Sequence, residues 1–314
     1  MNNTNHSCQG HSRPAHPGAP RGFERPGSGD RATRRFSSLL VAVILTGALN
    51  GADKGQYTLL NPTPDEQMRP LSTDRPDKTE SAYTLDAGHF LVEADFFTYA
   101  YDRHNVDRSN TKVETWNVAP VNLKVGLLNN VDLQLILTPY TSIRRTDHTT
   151  GTVGRQEGFN DLILRSKINV WGNDDGRTAL ALMPVVKLPT NQDNLGNGSV
   201  EGGLIVPMAV ALPGNWGMGL MTEVDIVRDE VGGSYHPEFI NTITFGHSIV
   251  GNLGGYLEFF ALVNEQDTSN WEGTVDLGLT YAINENIQLD GGVNIGVTRA
   301  ADDWNPFVGI SWRF

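Results

Sequence analysis

Nine consecutive residues, Thr73-Asp74-Arg75-Pro76-Asp77-Lys78-Thr79-Glu80-Ser81, make the densest charged run of the chain that could do specific chemistry. Side chains so crowded with ionised groups form charge-assisted hydrogen bonds when partners of opposite sign are held across from them. Two readings stay open for Asp74, Arg75, Asp77 and Glu80. Either they cap or enter a pore mouth and pair with fixed charges there, or the run is a solvated lead-in with turns around Pro76. Nucleophilic chemistry has little support, because a hydrolase needs its serine and histidine together. His247 and Ser248 are adjacent, yet neighbours in a strand point to opposite faces, and no Gly-x-Ser-x-Gly turn occurs. His6, Cys8, His11 and His16 share no spacing that closes a metal site. No enzyme activity, metal or cofactor is expected.

The elements that must position these charges are strands. From Trp304 to Phe314, Trp304, Val308, Ile310, Trp312 and Phe314 share one face, while Asn305, Phe307, Gly309, Ser311 and Arg313 share the other. One face suits lipid and the other a watery lumen. A period of two repeats along the chain from residue 88 and yields twelve candidate strands, each about nine to fourteen residues, long enough to cross a bilayer at a tilt. Phe90, Val92, Ala94 and Phe96 oppose Leu91, Glu93, Asp95 and Phe97; Leu133 and Leu135 oppose Asp132 and Gln134; Leu162, Leu164 and Ile168 oppose Arg165, Lys167 and Asn169. Lys187, Glu223 and Asp225 also fall on inner faces, as do Tyr256, Glu258, Asp276 and Asp290. These are the candidates for tuning permeation, with mutual pairing the simpler role. Phe97, Tyr99, Tyr256 and Phe260 are expected as lumen aromatics, and Gln134, facing water, is expected to tolerate change.

Connection lengths alternate. Short turns stand at Asn129-Asn130, Asn173 to Gly176, Pro213 to Asn215, Gly251-Asn252 and Asn284 to Asn286, built from residues that accept tight backbone geometry. Longer polar loops lie between them. The expected fold is all-β: an antiparallel transmembrane β-barrel of about twelve strands, with short periplasmic turns and longer extracellular loops. Gly202 to Thr222 carries no charge, but Pro207, Pro213, Gly214, Gly217 and Gly219 make it two strands and a turn rather than a helical span. Twelve strands imply a backbone diameter of about 24 Å and a lumen of roughly 12 Å.

The start of the chain reads as an export signal. Arg31, Arg34 and Arg35 precede the apolar stretch Phe36 to Leu49, and cleavage is expected after Ala52. Three segments follow: a disordered leader plus signal peptide over 1–52, a periplasmic lead-in or plug over 53–87, and the barrel over 88–314. Cys8 is the one cysteine, so the exported part has no disulfide. A net charge of -12 argues against nucleic acid.

The aromatic C-terminus resembles the last strand of bacterial outer-membrane barrels. That resemblance makes Ile310, Trp312 and Phe314 the signal for the barrel-assembly machinery. Three further stretches carry a narrower likeness: Ser72 to Gly88 with the strand His89 to Asp102; Gly158-Phe159-Asn160-Asp161-Leu162 with Arg165 and Lys167; and Ala179 to Thr190. Together they resemble the outer-membrane transporter family of the MetA pathway of phenol degradation. The resemblance implies a channel or transporter in the outer membrane, associated with aromatic-compound catabolism, and brings no catalytic or binding residues with it. The expected function is passive passage of small, neutral or aromatic compounds. The expected partners are outer-membrane lipids, the assembly machinery and the solute. The alternatives are a structural barrel without transport, a secreted β-barrel binding module and an outer-membrane lipid hydrolase.

Overall fold

The computed structural model describes residues 54–103, 110–229, 233–268 and 270–314; the leader and signal expected over 1–52 lie outside them. One antiparallel sheet closes on itself. Its strands are β1 (Phe90–Asp102), β2 (Thr111–Val118), β3 (Val121–Leu128), β4 (Val131–Leu137), β5 (Tyr140–Asp147), β6 (Val153–Gly158), β7 (Leu162–Trp171) and β8 (Thr178–Leu188). Then come β9 (Glu201–Leu212), β10 (Trp216–Arg228), β11 (Tyr235–Val250), β12 (Leu253–Asn264), β13 (Glu272–Asn284), β14 (Ile287–Gly296) and β15 (Trp304–Arg313). The β1–β15 pairing joins the ends.

Three neighbouring staves are broken in mid-course, so β2 and β3, β4 and β5, and β6 and β7 each form one, and the barrel has twelve staves. Proline supplies two of the breaks, Pro120 and Pro139, because it has no N–H to give a ladder. The third follows Gly158, whose φ of 145° is open to glycine and whose missing side chain admits Gln192. There the loop after β8 lies along the free edge of β6: Gln192 N donates to Phe159 O at 2.8 Å and Glu157 N to Asp193 Oδ2 at 2.9 Å.

Side chains alternate across the wall as the pleat requires. Leu133 and Leu164 point outward, while Gln134 and Arg165 are buried inside. Outward aromatics gather at both ends: Tyr99 lies 4.4 Å from Trp116 and 5.3 Å from Trp304, and Phe314 lies 5.9 Å from Phe90 and 5.2 Å from Trp312. Two such girdles around an apolar band are the exterior of a membrane barrel.

The first strand corrects two expected positions. Its register against β15 shifts between Asp95 and Phe97, leaving Phe96 and Phe97 both outside, 54% and 44% exposed. Phe97 therefore faces lipid instead of the lumen, and Tyr99 follows it into the outer girdle. The cause is the break next door. Ala119, at φ 51°, donates its N–H to the Phe96 carbonyl at 3.3 Å and the Pro120 carbonyl accepts from the Asp95 N–H at 3.0 Å, so β1 spends an extra residue to stay paired.

Candidate functional site

The segment before β1 folds up into the lumen from the end where β1 starts. At that mouth Arg69 is a hub. Its N–H donates to Asp86 at 3.0 Å, its guanidinium meets Asp174 at 3.1 Å and the Asn129 carbonyl at 3.1 Å, and its carbonyl accepts from Arg313 at 2.7 Å. Lys54 joins Asp174 at 3.0 Å. Asn173 and Asp174 thus belong to a turn that grips the segment.

Deeper in, residues 72–82 meet the wall with their charges sorted. Asp74 pairs with Lys124 on β3 and Lys167 on β7, and Glu80 pairs with Arg165 on β7. The basic side chains take the opposite direction. Arg75 reaches Asp95 on β1 and Asp290 on β14, both at 2.6 Å; Lys78 lies 3.1 Å from Asp276 on β13 and 4.2 Å from the centre of the Phe260 ring. Glu258 on β12 holds the backbone, accepting from the N–H of Lys78 at 2.8 Å and of Thr79 at 2.7 Å. Glu93 accepts from the N–H of Asp74 at 2.8 Å and from Lys124 at 2.8 Å.

Basic side chains thus gather on β3 and β7, with Glu93 of β1 beside them, and carboxylates on β1 and on β12 to β14, and the segment carries the complement of each group. Such pairs are costly to desolvate and costlier still to break singly, about 3–5 kcal/mol when one partner is removed. Burial alone would raise the Asp74 carboxyl, but Lys124, Lys167 and Arg165 outweigh it and hold Asp74 well below the usual carboxylate range. For Glu80 burial wins over Arg165 and lifts the carboxyl to about 7; burial likewise lifts Asp77 to about 6.

The remaining expected positions divide. Tyr256 faces inward, with its hydroxyl 3.5 Å from Pro76 O. Glu223 and Asp225 lie buried on the inner face of β10. Lys187 is inside, near the long-loop end, where it pairs with Glu201 and lies 3.6 Å from Asp161. Gln134 is no idle water-facing residue, since it bonds Asn122 at 3.1 Å, Asp132 at 3.0 Å and Arg165 at 2.8 Å.

Sequence reasoning passed over Lys124, whose stave is broken and hard to phase, and gave Gly309 its inner face without the slot that its missing side chain leaves. Apart from Phe260, expected as a lumen aromatic, it also passed over an apolar patch inside the lumen, where Met183, Ile205, Met221, Ile240, Phe260 and Leu262 pack together across β8 to β12. Each sits in step with a carboxylate on its own or a neighbouring strand, which was the available signal.

An outer membrane channel from Pseudomonas putida F1 shares this architecture, with a TM-score of 0.50 at 12% identity over 72% of this chain and 94% of that one. The NanC porin follows at 0.45 and 11%, over 71% and 98%, and the Ralstonia pickettii toluene transporter TbuX at 0.40 and 7%, over 72% and 89%. No curated protein sequence matches this one. The closed barrel with its apolar exterior is an outer-membrane protein. Residues 73–314 match the model of the family described as "Putative MetA-pathway of phenol degradation", and the chain belongs to that family.

Proposed function

We propose that the protein is a passive outer-membrane channel for small neutral or aromatic compounds, held closed in this structure by residues 72–82. The observation that carries the solute class is the apolar patch of Met183, Ile205, Met221, Ile240, Phe260 and Leu262 on the inner wall. In the closed barrel these side chains are buried, with Lys78 over Phe260 and the Glu80 N–H on Met221, so the departure of the segment would uncover an apolar wall, and an apolar solute covering it gains roughly 25 cal/mol per Å². The family's description, with its reference to phenol degradation, points the same way. The net charge of -12 disfavours small acids.

Transport rather than catalysis is the reading. His247 lies on the outer surface, its ring centre 4.6 Å from that of Trp216, and Ser248, next to it in β11, points to the opposite face. The partners are lipids around the outward face, the assembly machinery reading Ile310, Trp312 and Phe314, and the solute. Planar-bilayer conductance tests the proposal. Arg75→Ala, or deletion of 73–81, raises conductance and solute leakage in a barrel that still assembles. Unchanged conductance in a folded deletion variant returns the segment to a lead-in, and anion selectivity overturns the solute class.

A further inference from the structure

Asp95, Gly309 and Asp290 stand at one level on three adjacent strands, since Gly309 is the register partner of Asp95 on β1 and of Asp290 on β14. All three face the lumen, and the two carboxylates are buried. Between them the missing side chain of Gly309 leaves a flat slot. A β-carbon at that position would stand 2.1 Å from Arg75 Nη2 and 2.4 Å from the Ala94 carbonyl oxygen. Into this slot Arg75 lays its guanidinium, with Nε donating to both Asp290 oxygens at 3.1 and 2.9 Å. Its Nη2 donates to Asp290 at 2.6 Å and to Asp95 at 2.6 Å.

We propose that Asp95, Gly309 and Asp290 form a binding site for the guanidinium group of a solute, occupied by the chain's own Arg75 while the lumen is closed. The planar slot and the forked contacts fit a guanidinium, whose donors are fixed in a plane, and fit a compact ammonium less well. A free guanidino compound reaching the slot competes with Arg75, and so loosens the segment that Arg75 holds. The site itself is independent of which solute passes, but its exposure rests on residues 72–82 being able to leave.

The test uses the full chain in planar bilayers with ethylguanidinium and, as control, ethylammonium. In the wild type, ethylguanidinium displaces Arg75 and raises conductance. In Arg75→Ala it fills the emptied slot and lowers conductance saturably, about tenfold more potently than ethylammonium. Arg75→Ala/Asp290→Asn loses the response. Equal effects of the two cations in the wild type and in Arg75→Ala overturn the site. If Arg75→Ala conducts no more than the wild type, the closure reading fails and the site is still decided by melting in detergent. There ethylguanidinium, unlike ethylammonium, raises the melting temperature of Arg75→Ala and leaves Arg75→Ala/Asp290→Asn unchanged; no difference overturns it.

Discussion

Glu258 and Thr79 share two hydrogen bonds through a single oxygen: Oε1 accepts from the Thr79 N–H at 2.7 Å and from its hydroxyl at 2.6 Å. A carboxylate of the wall therefore holds the backbone of the inner segment, where most contacts at this depth are between side chains. Glu258→Gln keeps the shape but replaces one of its two acceptor oxygens with an amide donor. Leaving a buried N–H without its acceptor costs about 1–3 kcal/mol, so the variant should open more often in bilayer recordings while its barrel still runs as a heat-modifiable band.

Closure should weaken as pH rises. Docked in the lumen, Glu80 and Asp77 titrate near 7 and 6, above their ordinary values, with burial as the first cause. A carboxyl raised in the docked state stabilises docking fully below its free pKa and loses that contribution as pH rises through the docked one. Asp74 is shifted downward, so its contribution falls away only in strong acid, outside this window. Wild-type conductance should then climb between about pH 5 and about pH 8, and Glu80→Gln should flatten most of the climb. A flat wild-type profile would count against it.

Leu135 and Gln134 are neighbours on β4 with opposite surroundings. Leu135→Arg places a charge against lipid and should cost about 2 to 4 kcal/mol if near the midplane, read by urea unfolding in lipid. Gln134→Ala should spare the barrel yet loosen Arg165 and the inner segment, because its amide bonds Arg165 at 2.8 Å and Asn122 at 3.1 Å. The expected pair of results is a shifted unfolding midpoint for the first and raised conductance for the second.

Phe314 closes the seam. Its backbone exchanges hydrogen bonds with Phe90 at 2.8 and 2.9 Å, and its ring stacks on the same residue. Deleting Phe314 should reduce the heat-modifiable form recovered from outer membranes. Normal recovery would show that the last aromatic is dispensable for assembly.

Much of this architecture is local and was legible along the chain. Alternation such as Leu162 to Val170 needs only the pleat and two solvents of different polarity, and turns such as Gly251-Asn252 need only residues that bend tightly, so twelve staves, their order and most of their faces follow from the sequence. What the tertiary structure decided depends on partners far apart in the chain. Arg75 meets Asp290 across 215 residues, and nothing near either of them announces the other. The same holds for Lys124 with Asp74 and for the slot at Gly309. Phe97 turned outward because a break on the neighbouring stave forced a bulge into β1. Whether the charged run stayed in solvent or entered the lumen was undecidable from its own residues, since an ion pair is favourable only where the opposite charge is already held.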